Sequence, residues 1–374
     1  MTFKEIFNTY NYEQIEKEIS EKTSSEVQIA LNKNKLSTED FKALISPAAS
    51  SYLEQMAVKS QALTKQRFGK IIQLYAPLYL SNECNNICTY CGYSFDNKIK
   101  RKTLNDQEII EEAKAVKALG FDHVLLVTGE ANATVHLKYF LHAIELIKPF
   151  FANISIEVQP LDEEEYLSLQ KAGVYSVLVY QETYNKQNYG TFHPKGKKSN
   201  FDYRLETPDR ACKSEIHKIG LGVLLGLNDW RIDSFFCALH LDYLQKVYWK
   251  SKYSISFPRI RPAEGVHEVQ NPIHEKELLQ LICAYRLFNP DLEISISTRE
   301  TPHFRNNVIR LGATSMSAES KTNPGGYAVA KESLEQFTID DNRTLSEFKE
   351  IIKKQGYEPV LKDWDRVYSD SYAK

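Results

Sequence analysis

The chain has 374 residues, of which 42% are apolar and 26% are charged, and its formal net charge is −2. This composition is typical of a soluble globular protein, and the near balance of charge gives no indication of a polyanionic partner such as a nucleic acid. No apolar run reaches the roughly 18 residues that a membrane-spanning helix needs. The start of the sequence also lacks the apolar core of a secretory signal, so no membrane association and a cytoplasmic location are expected.

Residues 1–70 are predicted to form an N-terminal helical extension. Ser37 and Asp40 have the spacing of a capping box, and apolar residues recur at helical spacing through residues 52–56. From about residue 72, short apolar runs alternate with longer amphipathic stretches, as expected when parallel strands are connected by helices. The eight predicted strands are Leu74–Ser81, His123–Glu130, Ile154–Pro160, Ser176–Thr183, Ile219–Leu227, Ser254–Ile260, Glu293–Arg299 and Ala313–Ser320.

Eight strand–helix units over roughly 250 residues predict an α/β fold, namely a (β/α)8 TIM-type barrel over residues 71–328. A doubly wound open sheet is the alternative. Residues 329–374, acidic at first and then helical in pattern, are predicted to form a C-terminal cap. Several predicted strands are apolar at first and polar at their last residues. Because barrel enzymes place their chemistry at the C-terminal ends of the strands, we expect the functional site there.

Three of the six cysteines, Cys84, Cys88 and Cys91, lie within eight residues just after the first predicted strand. A structural zinc site usually has four protein ligands, and the next cysteine, Cys212, is far along the chain. A [4Fe–4S] cluster has four irons with cysteine ligands, so three cysteines would leave one iron open. The spacing therefore favours an iron–sulfur cluster with an open iron. A zinc site and redox-active thiols are the alternatives.

The CxxxCxxC spacing, with the aromatic Tyr90 before the last cysteine, resembles the motif of the radical S-adenosylmethionine (SAM) superfamily. The resemblance implies a barrel of the radical SAM kind and a [4Fe–4S] cluster whose open iron is chelated by the amino and carboxylate groups of SAM. It further implies that cleavage of SAM gives a 5′-deoxyadenosyl radical, which takes a hydrogen atom from the substrate.

The resemblance extends to residues at the ends of later strands, which contact SAM in this superfamily. Gly129 and Glu130 resemble a Gly-Gly-Glu motif that meets the amino group of SAM, although Thr128 replaces the first glycine. Arg204 resembles an arginine that pairs with the carboxylate of SAM. The other implied SAM contacts lie near the ribose, at Glu182, and near the adenine, at Gly222 and Gly226.

Over nearly its whole length the chain is similar to the tyrosine lyases of thiamine thiazole biosynthesis, the 2-iminoacetate synthases. This similarity implies that L-tyrosine is cleaved between Cα and Cβ to 2-iminoacetate (dehydroglycine) and p-cresol. It also implies a reductant such as flavodoxin or ferredoxin, and thiazole synthase as a protein partner. The segments that carry the similarity are Leu44–Ala48, Leu78–Asn82, Ile99–Leu104, Leu126–Glu130, Glu157–Pro160, Val179–Tyr184, Arg204–Arg210, Tyr253–Pro258, Ser297–Glu300, Pro324–Tyr327 and Lys362–Trp364.

A site for the amino-acid substrate is implied by the same similarity. Arg299, at the end of the seventh predicted strand, is expected to bind the substrate carboxylate, with Ser317 as a second contact. Arg259 and Arg261 are alternatives for this role, and an ion pair between Arg299 and Glu300 would be a purely structural explanation. A run of basic residues is expected to be solvated rather than catalytic: Lys195, Lys197 and Lys198.

Two other functions are alternatives. The tyrosine lyases of iron-only hydrogenase maturation act on the same amino acid, but they carry a C-terminal extension with cysteines for a second cluster. Because no cysteine follows Cys283 in this sequence, that cluster would lack its ligands here. The other alternative is a non-catalytic metal-binding or assembly protein, which would bind metal without cleaving SAM.

Overall fold

The computed structural model of the chain describes residues 2–266, 269, 271–329 and 335–362. Eight parallel strands form a closed barrel, because each strand pairs with the next one in the sequence and the eighth pairs with the first. This confirms the predicted (β/α)8 architecture and excludes the open doubly wound sheet. The barrel strands are Ile71–Ser81 (β1), His123–Thr128 (β2), Asn153–Glu157 (β3), Val174–Leu178 (β4), Lys218–Gly222 (β5), Lys252–Ser256 (β6), Glu293–Ile296 (β7) and Ser315–Ser317 (β8).

The predicted strands are all present, but most of them end earlier than predicted. The strands predicted to reach residues 183 and 227 stop at Leu178 and Gly222. In the loops that follow, Glu182 (φ 70°) and Gly226 (φ 117°) adopt left-handed backbone conformations, although Glu182 still forms an isolated parallel bridge with Val223. The polar residues that were predicted to close these strands therefore lie in the loops that follow them.

Helices connect the strands and cover the outside of the barrel. In the helix after β1, Asn105 and Glu108 form a capping box, and Ile109, Ala113 and Val116 bury one face at helical spacing. The helices are Phe3–Phe7 (α1), Tyr12–Ser20 (α2), Ser24–Asn32 (α3), Thr38–Ile45 (α4), Leu53–Phe68 (α5), Asp106–Ala118 (α6), Leu137–Ile147 (α7), Glu163–Ala172 (α8), Tyr189–Phe192 (α9), Phe201–Leu205 (α10), Thr207–Lys213 (α11), Trp230–Val247 (α12), Glu275–Phe288 (α13), Pro302–Val308 (α14) and Leu345–Lys354 (α15). Two 3-10 turns span Pro47–Tyr52 and Lys197–Ser199.

The first five helices lie on one side of the barrel: α1, α2, α4 and α5 pack against α12 or α13, and α3 packs on α4. Phe3 stacks on the His240 ring of α12 at a centroid distance of 3.7 Å, and Phe41 contacts Tyr285 of α13 at 4.8 Å. Ser37 forms the predicted capping box at the start of α4. Within the described part of the chain, none of the helices combines the length and the apolar character needed to cross a bilayer.

The C-terminal segment contacts both ends of the barrel. A ninth strand, Glu358–Val360 (β9), pairs in parallel with Ile71–Gln73 at the start of β1. At the opposite end, the carbonyl oxygen of Gln336 accepts a hydrogen bond from the backbone N–H of Gly92, in the cysteine loop, at 3.1 Å. The remainder of the predicted cap, residues 330–334 and 363–374, lies outside the described residues.

Candidate active site

A cavity of about 190 Å³ lies at the C-terminal end of the barrel strands, where the site was expected. Gly222 and Gly226 do not line it. Ten of the twelve predicted site residues do: Cys84, Cys88, Tyr90, Cys91, Gly129, Glu130, Glu182, Arg204, Arg299 and Ser317.

The cysteine loop after β1 is held against the loop after β2. The backbone N–H of Asn85 donates to the carbonyl oxygen of Glu130 at 2.9 Å. A Cβ atom on Gly129 would lie 2.2 Å from the carbonyl oxygen of Glu83, so only glycine allows this close approach. Burial raises the pKa of the Cys84 thiol to about 11. A nearby positive centre is therefore needed to hold this side chain as a thiolate.

The three loop cysteines fit an iron–sulfur cluster better than a single metal ion. None of them forms a disulfide bond, and the other cysteines do not line the cavity. Among the described residues, no group of three His, Cys, Asp or Glu side chains converges on a point that could hold one ion. In a [4Fe–4S] cluster each cysteine binds a different iron, so its ligands surround a cube rather than a point. The donor set thus fits a cluster with one open iron and does not fit a four-ligand zinc site.

Two carboxylates and two cations form a buried network in the cavity wall. Arg204 Nη1 donates to Glu130 Oε1 at 2.9 Å, and Arg204 Nη2 lies 3.5 Å from Glu182 Oε1. Lys198 Nζ donates to the same Glu182 oxygen at 2.8 Å. Burial alone would raise the pKa of both carboxyl groups, but the charges of Arg204 and Lys198 hold each pKa below its ordinary value. The network therefore presents fully charged groups of both signs to a ligand.

The prediction of a solvated basic run is wrong for Lys198. Lys195 and Lys197 are exposed, but Lys198 turns inward and its ammonium lies 5.5 Å from the centre of the Tyr90 ring. Its backbone N–H donates to Asn86 Oδ1 at 3.0 Å, which fixes the turn against the cysteine loop. Since its carboxylate partner comes from a different loop, no local sequence signal distinguished this lysine from its neighbours.

Tyr90 is held by a histidine that the sequence did not assign to the site. The Tyr90 hydroxyl lies 2.7 Å from His193 Nε2, and His193 Nδ1 lies 2.9 Å from the carbonyl oxygen of Tyr189. Because a carbonyl can only accept, Nδ1 is assigned the proton and Nε2 accepts from Tyr90. Burial lowers the pKa of His193 to about 2, which agrees with a neutral ring. This pair fixes the aromatic ring next to the cysteine motif.

Arg299 lies in the cavity just after β7. Its Nη1 donates to the carbonyl oxygen of Arg259 at 3.1 Å, and its guanidinium carbon lies 3.3 Å from the centre of the Phe337 ring. Among the described residues, no carboxylate lies within ion-pair distance of Arg299. Glu300 instead pairs with Arg259 and Arg261, neither of which lines the cavity. Arg299 is therefore a partly buried cation with donors available to a ligand.

Ser317 and the two glycines occupy different positions relative to the cavity. Ser317 is the last residue of β8, lines the cavity, and accepts a hydrogen bond on Oγ from the backbone N–H of Thr298 at 3.1 Å. Gly222 ends β5, where a Cβ atom would lie 2.9 Å from the ring of Tyr180, a cavity residue. Gly226 lies in the loop after β5. The implied contacts of these glycines with adenine remain predictions.

Glu157, the last residue of β3, also lines the cavity, and sequence reasoning assigned it no role beyond its place at a polar strand end. Its carboxylate makes no hydrogen bond to another described residue. Burial and the negative charge of Glu182 raise the pKa of Glu157 to about 7, although Arg299 opposes this effect. Strand alternation with Ser155 was the only signal that its side chain points inward.

Comparison with known proteins gives matches along most of the chain. Residues 78–236 match the family model of the radical SAM superfamily, and residues 256–358 match that of the biotin and thiamin synthesis associated domain. The chain is 49% identical over 365 residues to the 2-iminoacetate synthases of Escherichia coli (strain K12) and Salmonella typhimurium (strain LT2), with 97% of each chain covered. It is also similar to the crystal structure of HydG, a maturase of the [FeFe]-hydrogenase, with a TM-score of 0.89 and 29% identity, covering 96% of this chain and 81% of that chain.

Proposed function

Because this chain belongs to the 2-iminoacetate synthase family of radical SAM enzymes, we propose that it cleaves the Cα–Cβ bond of L-tyrosine to 2-iminoacetate and p-cresol. The observation that carries this proposal is that one cavity contains both the three unbridged cysteines and Arg299, which pairs with none of the described carboxylates. A cluster bound by three cysteines leaves an iron for the amino-acid end of SAM. Arg299 offers donors for the carboxylate of a second amino acid.

The cofactors of this family are a [4Fe–4S] cluster and SAM, and the cavity contains groups suited to both. Cys84, Cys88 and Cys91 would hold the cluster. When bound, the reduced cluster and SAM supply a 5′-deoxyadenosyl radical that takes a hydrogen atom from the amino group of tyrosine. Arg204 offers a planar guanidinium to the carboxylate of SAM, and Glu130 offers a carboxylate to its ammonium group.

The substrate would be held at three points. Arg299 would bind its carboxylate, with the Ser317 hydroxyl as a second donor. The aromatic ring would pack on the apolar part of the cavity wall, which Leu125 and Leu178 form with Phe257. Enclosing the substrate in this way holds it at a fixed position and keeps other molecules away from the radical, which prevents side reactions.

The alternatives receive less support. The hydrogenase-maturation function is suggested by the similarity to HydG, but the identity there is 29%, against 49% to the 2-iminoacetate synthases. A non-catalytic metal-binding protein would not explain why Arg299, a cation in the cavity, has no carboxylate partner in the described part of the chain. We also propose thiazole synthase as a partner, because a reactive imine benefits from direct transfer, and flavodoxin or ferredoxin as the reductant.

Anaerobic reconstitution tests this function. With SAM, a one-electron reductant and L-tyrosine, the enzyme is expected to form p-cresol and 5′-deoxyadenosine, and also glyoxylate as the imine hydrolyses. Cys88→Ala should abolish these products, because it removes a cluster ligand. A preparation that binds one zinc ion and leaves SAM intact would contradict the proposal.

A further inference from the structure

Glu157 is a cavity carboxylate that the proposed function does not yet use. It ends β3, where it is in register with Val127 of β2. Two residues earlier on the same strand face, the Ser155 hydroxyl bonds to His123 and Ser176 inside the barrel. The side chain of Glu157 therefore also points inward, at the level where the barrel interior meets the cavity.

The cations near Glu157 differ in whether they already have a carboxylate partner. Lys198 and Arg204 are bound to the carboxylates of the buried network. Among the described residues, Arg299 has no carboxylate within ion-pair distance, and the carboxylate of Glu157 has no hydrogen-bond partner. Two groups that form opposite charges thus face one cavity, and neither has an oppositely charged hydrogen-bond partner in the described part of the chain. This arrangement is costly unless a ligand binds both.

The other groups that interact electrostatically with Glu157 do not neutralise it. Glu182 repels its charged form. The remaining neighbours are tyrosine hydroxyls, which Glu157 influences through its charge: Tyr75, Tyr79 and Tyr180.

An α-amino acid carries an ammonium and a carboxylate on the same carbon, so its site needs an anion close to a cation. We propose that Glu157 binds the α-amino group of the substrate while Arg299 binds its carboxylate, and that Glu157 accepts one proton from the bound ammonium. This inference rests on the proposed function, since it assumes that the substrate is an amino acid that reacts at nitrogen.

The proton transfer balances without any further reactant. One N–H bond of the ammonium breaks, its electron pair stays on nitrogen, and the proton forms an O–H bond with a carboxylate oxygen of Glu157. The products are a neutral amine and a neutral carboxylic acid. Loss of a hydrogen atom from the neutral amine then gives a neutral aminyl radical. Loss of a hydrogen atom from the ammonium would instead give a radical cation. A carboxyl group whose pKa lies near 7 is suited to accept a proton at neutral pH.

A pair of ligands that differ only in the amino group tests the contact. The probe is 3-(4-hydroxyphenyl)propanoate, which keeps the ring and the carboxylate of tyrosine. With the reconstituted enzyme and saturating SAM, calorimetry should show that tyrosine binds roughly tenfold more tightly than the probe or better, as expected for a charge-assisted hydrogen bond. Equal affinities in the wild type would overturn the inference without any variant.

Glu157→Gln should lose most of this preference for tyrosine. Glu145→Gln, which removes an exposed carboxylate on α7, is the matched control and should keep the preference. A Glu157→Gln enzyme that retains the full preference would overturn the inference. If the wild type still forms p-cresol in that case, the proposed function stands and only the role of Glu157 fails.

The proton transfer has its own test in the pH profile. In the wild type, kcat/KM for tyrosine should fall as the pH drops below about 7, because protonated Glu157 cannot accept a proton. Glu157→Gln should have low activity without this acid limb. An unchanged acid limb in the variant would overturn the role as a proton acceptor.

Discussion

Replacing Arg299 tests how the substrate carboxylate is bound. A guanidinium has five N–H donors. In Arg299 one of them is used by the carbonyl oxygen of Arg259, at 3.1 Å, and Phe337 covers one face of the group. Enough of its edge remains for a two-point contact with a carboxylate. Arg299→Ala would remove this contact and leave the Arg204 network intact, so tyrosine binding should weaken while SAM binding does not.

The expected loss follows from the type of bond. A hydrogen bond to a charged group contributes about 1.5–3 kcal/mol, so two such bonds contribute about 3–6 kcal/mol. Water can enter the space left by the side chain and partly replace them, which favours the lower end of this range. A loss of about 3 kcal/mol corresponds to a rise in the Kd for tyrosine of roughly 100-fold. Arg299→Lys keeps the charge but not the planar fork and should give an intermediate loss.

Anaerobic calorimetry with tyrosine at saturating SAM measures this effect, and a separate titration gives the Kd for SAM. Arg261→Ala is the control, because Arg261 pairs with Glu300 and Asp340 and does not line the cavity. It should change tyrosine binding little. An unchanged Kd in Arg299→Ala, or a large rise in Arg261→Ala, would refute the assignment of Arg299.

Three further predictions concern the cluster loop, the buried network and pH. Gly129→Ala should lower the iron content after reconstitution, because the new Cβ atom would lie 2.2 Å from the carbonyl oxygen of Glu83 and displace the cysteine loop; a full complement of iron would contradict this. Arg204→Leu should lower the free energy of unfolding by about 3–5 kcal/mol in a urea titration, because Glu130 loses its buried cationic partner. Wild-type substrate-free protein should lose up to about 3 kcal/mol of stability as the pH rises from about 4.5 to about 7, since Glu157 holds its proton longer in the folded state than in the unfolded chain. Glu157→Gln should not show this loss, which unfolding curves at pH 5 and pH 8 would measure.

The barrel could be predicted because its signal is repeated eight times along the chain. Each strand is a short apolar run, and errors at single positions do not change the count. The strand ends were less predictable, because they depend on backbone conformation. β4 ends at Leu178, and Glu182 in the loop that follows has a left-handed conformation that its residue type does not suggest.

The candidate site was predictable where a local motif indicates the chemistry. The spacing of the cysteines predicts their common loop, and the motif around Gly129 places Glu130 beside it. Lys198 and Glu157 could not be assigned in this way. The position of Lys198 depends on a carboxylate in another loop, and the candidate role of Glu157 depends on its carboxylate having no hydrogen-bond partner among the described residues. Neither condition can be read from neighbouring residues in the sequence.

The segment at residues 336 and 337 explains why cluster, cofactor and substrate are expected to share one enclosed space. Gln336 Nε2 lies 3.7 Å from Cys91 Sγ, and Gln336 Oε1 accepts a hydrogen bond from Tyr79 at 2.7 Å. The next residue, Phe337, packs on the guanidinium of Arg299. Two adjacent residues thus cover both the cysteine loop and the cation proposed for the substrate. A radical formed near the cluster must react with the bound substrate before it meets solvent, and a cover that contacts both parts at once favours that order.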